Sequence, residues 1–306
     1  DFIRIGGFNR VGLSKQIRTS YEMPLAVLAA SRMLRRYRPQ AVFSMGGFVA
    51  GPVVVAALLH RIALVVMEPN AVPGITNRKI ARWVYRALVG FKDTARWFPP
   101  GKTEVTGLPV REGFFRITPK TGGIFTLLIT GGSRGARTLN RAARESWPFF
   151  HRHQTPIRII HQTGAAEHEV LLKAFAESGV QGEVIPFIHD MPEMFSQADL
   201  VVGRAGAGGT SEIAAAGMPS ILVPLPFAAD EHQRKNAEAL VDAGAARIVL
   251  DRDLTGERHF HEVELLRNHP EQREAMRNAV RQFAHPGAAE RGADVLEEAA
   301  SRKNAW

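Results

Sequence analysis

An α/β fold of two parallel-sheet units in tandem follows from three features of this 306-residue sequence. Short runs rich in Val, Ile and Leu alternate with helical patterns along nearly its whole length, as expected of strands covered on both faces. The alternation breaks once, around Pro109, and then resumes. Glycine-rich loops follow three of the apolar runs, at the strand ends where open parallel sheets take their ligands.

The elements can be justified in order. Asp1-Phe-Ile-Arg-Ile5 reads as a strand already under way in a chain without an initiator methionine, so an N-terminal truncation is expected. A helix over 22–37 leads into a strand at 41–45, and further strands are expected at 62–67, 87–90 and 103–106. Helices near 51–60 and 75–84 connect the first three strands. Thr118-Pro-Lys-Thr-Gly-Gly123 reads as a linker. A second series follows, with strands at 124–130, 157–160, 182–185, 200–202, 221–223 and 246–249. Its helices fall near 137–150, 165–178, 209–216 and 231–243, and from about 258 the chain is helical and strongly charged. Each series is expected to form a doubly wound, Rossmann-like sheet.

The stretch from Arg204 to Pro224 is the most informative. Between two apolar strands, Thr210-Ser211-Glu212 opens an alanine-rich helix that stops at Gly217, with Pro219 beyond. Such a unit aims unpaired backbone N–H groups at whatever lies above the loop, which favours an anion. A tight turn with Thr210 or Ser211 as N-cap is the alternative. The other two loops are Met45-Gly-Gly-Phe-Val-Ala-Gly-Pro52 and Thr130-Gly-Gly-Ser-Arg-Gly-Ala-Arg-Thr-Leu-Asn140. None spells the dinucleotide or P-loop fingerprint, which argues against a dehydrogenase and a P-loop NTPase. Together they suit a cleft holding two phosphate-bearing molecules.

Composition bounds the rest. No run approaches the ~20 apolar residues of a spanning helix. The absence of cysteine excludes disulfides and thiolate metal sites. The net charge is +9, and residues 1–40 carry +6 of it. Lys15, Arg18, Arg32, Arg35 and Arg36 there are interleaved with Ile17, Tyr21, Leu25 and other apolar residues. A basic segment carrying aliphatics suits an anionic membrane surface better than a nucleic acid, which has no use for them. An ordinary amphipathic helix with a solvated basic face is the alternative.

Seven motifs, in order along nearly the whole chain, resemble the MurG family of transferases. They are Gly46-Gly-Phe-Val-Ala-Gly-Pro52, Glu68-Pro-Asn70, Gly74-Ile-Thr-Asn77, Gly107-Leu-Pro-Val-Arg111, Gly131-Gly-Ser-Arg-Gly-Ala136, Ser211-Glu-Ile-Ala-Ala-Ala-Gly217 and Gln233-Arg-Lys-Asn-Ala237. The resemblance implies a GT-B fold, two Rossmann-like domains facing a cleft. It implies transfer of N-acetylglucosamine, with inversion, from UDP-N-acetylglucosamine to lipid I, forming lipid II for peptidoglycan and so for cell-wall growth, division and shape. It also implies a peripheral enzyme at the cytoplasmic face of the cell membrane. The domains are then expected at 1–111 and 112–284, with 285–306 a helix returning to the first.

Carried over by motif, Glu212 would accept hydrogen bonds from the two ribose hydroxyls, and Ile188 would present its backbone to uracil. Ser133, Arg111 and the helix start formed by Ala207, Gly208, Gly209, Thr210 and Ser211 would hold the diphosphate. Asn70 and Gln233 would contact the transferred sugar. Gly46, Gly47 and Gly51 would shape the acceptor-side loop. The family's first glycine-rich loop, with the histidine proposed as general base, has no counterpart here. Glu68 is the nearest other base candidate, though a carboxylate in such a turn is more often structural. Met67, Pro69 and Leu108 stand where the family often has His, Gln and Asn. No acidic Asp-x-Asp motif is recognised, so no protein-bound metal is expected, nor is a cofactor or a nucleic-acid partner. A transferase acting on a small soluble acceptor, or a non-catalytic nucleotide-sugar-binding fragment, are the rival readings.

Overall fold

The computed structural model describes residues 13–47, 49–226 and 231–301, with side chains from Glu22 onward. The expected strand at 1–5 and the side chains of Lys15, Ile17, Arg18 and Tyr21 lie outside what is described. The chain forms two compact units, one ending at Pro109 and regaining the chain from Gly287, the other running from Val110 to Pro286.

The first unit runs α1 (Leu13–Tyr37), β1 (Ala41–Ser44), α2 (Gly51–Leu59), β2 (Ala63–Glu68), α3 (Ile75–Ile80), β3 (Arg86–Val89) and β4 (Thr103–Val105). Its four strands are parallel and ordered β1-β2-β3-β4. All of β2 is buried, and its side chains alternate between faces. Leu64 and Val66 pack with Val54 of α2 and with Ala87 and Val89. Val65 and Met67 pack on the other side with Val295 and Ala299 of the chain's last helix. The Arg291 guanidinium of that helix forks onto both carboxylate oxygens of Glu104, the longer contact being 2.9 Å. That bond holds the Glu104 carboxyl below its ordinary pKa.

The second unit runs α4 (Glu112–Phe115), β5 (Phe125–Thr130), α5 (Arg137–Arg152), β6 (Ile157–Gln162), α6 (His168–Ala176), β7 (Gln181–Ile185) and α7 (Met191–Gln197). It continues through β8 (Leu200–Gly203), α8 (Ala207–Ala216), β9 (Ser220–Leu222), α9 (His232–Asp242), β10 (Arg247–Ile248), α10 (Gly256–Asn268) and α11 (Pro270–Val280). The last helix, α12 (Ala288–Ser301), belongs to the first unit. The strands are parallel in the order β10-β9-β8-β5-β6-β7, so the order reverses between β5 and β8. Leu127, Ile129 and Ile159 on one face of this sheet pack with Trp147 and Phe150 of α5 and with Phe260 of α10. Both sheets are thus parallel with helices against them, the α/β class expected.

Several expectations shift. The helix expected at 22–37 begins at Leu13 and accommodates Pro24 within it. The helix expected at 209–216 begins at Ala207, because Gly206 takes the extended N-cap conformation and the glycines enter the first turn. The stretch at 118–123 is no free linker: Lys120 bonds Asp199 at 2.9 Å and Thr126 Oγ1 at 3.2 Å, which pins it to the second sheet. The boundary between the units falls after Pro109, where the alternation breaks in the sequence and two residues before the boundary expected between 111 and 112.

One glycine fixes the pairing of β6 with β7. Gly182 has a φ of 141°, and a Cβ there would stand 1.9 Å from the Ile159 carbonyl oxygen. Gly182→Ala is therefore expected to destabilise the second unit by ~3 kcal/mol, read from urea unfolding. Gly74→Ala, where no atom lies within 4 Å of the added carbon, should change stability by under ~0.5 kcal/mol.

Candidate functional site

The C-terminal ends of β5, β6, β7 and β8 open into one cavity of about 770 Å³ within the second unit. Its floor depends on two glycines. Gly135 and Gly164 have φ of 73° and 77°, and a Cβ on either would stand 1.8 Å from Thr163 O or 2.3 Å from Arg134 O. Only because both lack a side chain does the turn after β5 lie directly against the chain after β6. Within that turn, Gly135 N–H donates to Gly132 O at 2.9 Å, and Ser133 at its tip is exposed and lines the cavity.

A buried network supports this floor. Asn140 Nδ2 donates to Thr163 O at 2.9 Å and to Glu167 Oε2 at 2.7 Å, so its Oδ1 is the acceptor for His161 Nε2 at 3.1 Å. Burial pushes His161 down to about 3, which keeps the imidazole neutral and able to donate one proton to Asn140.

The opposite wall is the start of α8. Thr210 N–H is the first of the helix to find an internal acceptor, Gly206 O at 2.9 Å. The amides of Ala207, Gly208 and Gly209 precede it and form the open, positive end of the helix. Thr210 is buried, and its hydroxyl bonds back to Gly206 O and Ala207 O at 3.1 Å. Neither Thr210 nor Ser211 is the N-cap, contrary to the turn reading; that position is Gly206, without a side-chain cap. The glycines thus leave the amides uncovered.

Glu212, one turn further on, faces the cavity, and Arg111 approaches it at 3.6 Å. Desolvation raises the Glu212 carboxyl above its ordinary pKa, and the Arg111 charge opposes the rise. Arg111 also lies over the ring of buried Phe114, 5.2 Å from its centroid. Gln233 borders the same cavity, with its Oε1 accepting from Leu225 N–H at 2.9 Å. Ile188 is buried, and its N–H donates to Gln162 Oε1 at 3.1 Å.

The other expected residues belong to the first unit. The Glu68 carboxylate accepts from Asn70 N–H and Asn70 Nδ2, both at 3.1 Å, from Gly74 N–H at 3.0 Å and from Asn77 Nδ2 at 2.8 Å. With these four donors on its two oxygens it organises the turn after β2, so a structural role replaces the base suggestion. Gly46 and Gly47 both have positive φ, and a Cβ on Gly46 would meet the Asn77 amide at 2.8 Å. Gly51 is the first residue of α2.

Asp251-Arg252-Asp253 has the Asp-x-Asp spacing associated with metal-held diphosphates, contrary to the expectation that no such motif is present. Asp251 is already occupied: Arg204 bonds one oxygen and Thr138 Oγ1 the other, at 2.9 Å. Asp253 faces Arg252 at 3.6 Å. No group of three or more potential metal ligands occurs among the described residues.

Known proteins match this arrangement. The Glycosyltransferase family 28 C-terminal domain profile matches residues 126–291, and the N-terminal domain profile of the same family matches residues 1–89. The UDP-N-acetylglucosamine--N-acetylmuramyl-(pentapeptide) pyrophosphoryl-undecaprenol N-acetylglucosamine transferase of Solibacter usitatus is 56% identical over 299 residues, 97% of this chain and 81% of that protein. The protein of the same name from Syntrophus aciditrophicus is 37% identical over 271 residues, 88% of this chain and 75% of that one. The crystal structure of Acinetobacter baumannii MurG superposes with a TM-score of 0.81 at 31% identity, covering 92% of this chain and 79% of that one. A UDP-GlcNAc 2-epimerase from Neisseria meningitidis shares the fold alone, with a TM-score of 0.68 at 14% identity over 95% of this chain and 84% of that one. With both domain profiles and the transferases aligned along nearly its whole length, the chain belongs to glycosyltransferase family 28, among the MurG-type N-acetylglucosamine transferases.

Proposed function

We propose that this chain transfers N-acetylglucosamine from UDP-N-acetylglucosamine to lipid I, the undecaprenyl-pyrophosphoryl-linked N-acetylmuramyl-pentapeptide, giving lipid II for peptidoglycan. The observation that carries the reading is one cavity bordered by Gly206 and Gly209 at the open start of α8, the Ser133 turn, Arg111 and Glu212. A nucleoside diphosphate needs a carboxylate for its ribose diol and clustered donors for its phosphates, and these residues supply both.

In this reading Glu212 accepts from both ribose hydroxyls, and uracil meets the backbone at Ile188. Arg111 leaves its pairing with Glu212 to meet the diphosphate. Ser133 and the amides of Ala207, Gly208 and Gly209 complete that subsite. As the bond from sugar to phosphate breaks, negative charge collects on departing UDP, and donors already aimed there stabilise the transition state more than the ground state. Gln233 and Asn70 meet the hydroxyls of the transferred sugar, and the loop of Gly46, Gly47 and Gly51 serves the acceptor. Glu68 is not assigned as base.

The acceptor's lipid calls for a membrane-facing surface, and we assign it to the exposed side of α1. Leu25, Leu28, Arg32, Arg35 and Arg36 recur at three- and four-residue spacing and are exposed, while Ala26 and Ala30 on the opposite side are buried. Val55 and Leu59 of neighbouring α2 are exposed as well. Aliphatic side chains with arginines beside them fit the interface of an anionic leaflet at the cytoplasmic face of the cell membrane. No described helix is long and apolar enough to cross a membrane.

Sugar transfer from labelled UDP-N-acetylglucosamine to lipid I in detergent tests the reading directly, and turnover on a small soluble acceptor in its place would favour the rival transferase. Glu212→Ala should weaken UDP binding by about 1.5–3 kcal/mol in calorimetry, since it removes a charged acceptor from two hydroxyls. The parent's UDP affinity should be level at neutral pH and fall as acid protonates Glu212. Because that carboxyl is raised, the fall should begin at higher pH than for an ordinary carboxylate. Replacing Arg32, Arg35 and Arg36 together by Gln should reduce binding to anionic vesicles by roughly 1 kcal/mol per charge and leave UDP affinity unchanged.

A further inference from the structure

Gln162 ends β6, one strand away from the sheet's reversal point, and is 1% exposed. Its carboxamide makes two contacts in opposite directions. Nε2 donates to Gly132 O at 2.8 Å, and Oε1 accepts from Ile188 N–H at 3.1 Å. Gly132 O is also the acceptor that closes the turn carrying Ser133. Ile188 lies in the segment after β7 that borders the same cavity. One buried side chain therefore spans two loops that start from different strands.

We propose that Gln162 is a positioning residue that couples the base-reading and diphosphate-reading halves of the donor site, an inference that rests on the donor-site reading above. A carboxamide suits this position because it alone offers a donor and an acceptor on a planar, uncharged group of this length. The Ile188 contact is buried and the Gly132 contact part-buried, and the Gln162 side chain itself is buried, so a shift of either loop would strand its Nε2 or its Oε1 away from water. A base seated against Ile188 thus fixes the Ser133 turn, and a diphosphate held by that turn fixes the Ile188 segment. Selectivity for the base is in this way transmitted to the affinity for the phosphates, and the reverse.

Two variants separate the coupling from simple support of the fold. Gln162→Met keeps length and volume and removes both bonds. Gln162→Glu keeps the acceptor for Ile188 N–H but turns a carboxylate oxygen toward Gly132 O, where it repels. Only when protonated does that carboxyl donate to Gly132 O as the amide does, and burial favours its protonation.

The test is calorimetry of the whole chain with UDP, CDP and uridine across pH, with thermal unfolding alongside. Gln162→Met should bind UDP about tenfold to a hundredfold more weakly, and its preference for UDP over CDP should shrink by a similar order. Gln162→Glu should be weak for UDP at alkaline pH and regain affinity relative to the parent on acidification. That direction is opposite to the parent's own loss as Glu212 protonates, so the ratio of variant to parent rises as pH falls. Uridine, which lacks the diphosphate, should show little of this recovery. Variants that match the parent's UDP:CDP preference, or an unfolding temperature that drops while that preference and the pH ratio stay flat, would overturn the proposal and leave Gln162 a packing residue. If Gln162→Met does not fold, the pH response of Gln162→Glu decides alone. A parent chain that binds no UDP would sink the donor-site reading itself, and the coupling with it.

Discussion

The second unit depends on a close approach of backbone to backbone. The turn after β5 and the chain after β6 lie so near each other that Gly135 and Gly164 have no space for a Cβ. This contact sets where Ser133 stands and brings Gly132 O within reach of Gln162. Buried Asn140, held by His161 and half-buried Glu167, then bonds the Thr163 carbonyl and leaves the floor little freedom. A rigid floor matters for a reaction whose charge appears on a leaving group, because donors that must first reorient stabilise that charge less. The helix start at α8 completes the arrangement with amides that no side chain covers.

Much of the fold was legible in the sequence because buried parallel strands announce themselves as continuous apolar runs. The strands expected at 62–67 and 124–130 lie within a residue of β2 and β5 at each end. The last strand, expected at 246–249, shrinks to Arg247–Ile248 at the sheet edge, where only one neighbour selects its pairing. Helix α7 was missed although Asp190 and Glu193 sit at capping spacing and Asp190 does accept from Glu193 N–H at 3.2 Å. Four-residue α4 carries no periodicity to read. The start of α8 is expected late because glycine is a poor helix former, yet Gly208 and Gly209 lie in its first turn.

For the site, local motifs led to the loops but not to what ties them together. The Gly-Gly-Ser-Arg-Gly turn, Arg111 and Glu212 stand out by pattern, and all three border one cavity. Gln162 does not stand out, because a lone glutamine at a strand end gains meaning only from Gly132 and Ile188, 30 and 26 residues away. The pairing of Arg111 with Glu212 likewise needs coordinates, since 101 residues separate them. Asp251 shows the converse: its spacing to Asp253 suggests a metal, whereas its bonds to Arg204 and Thr138 give it a bracing role.

The turn after β2 has an implication for how this sequence can change. Glu68 is the common acceptor for Asn70, Gly74 and Asn77, and Asn77 in turn leaves Gly46 no room for a side chain. Losing the Glu68 carboxylate leaves the donors of Asn70, Gly74 and Asn77 without their common acceptor, and a side chain on Gly46 would drive into the Asn77 amide, so substitutions at Glu68, Asn77 and Gly46 are interdependent and their effects do not add. Variation at these three positions would have to arrive as a set. Libraries that randomise one position at a time would find Glu68 and Gly46 intolerant, while a block taken whole from another protein of the family could replace the turn.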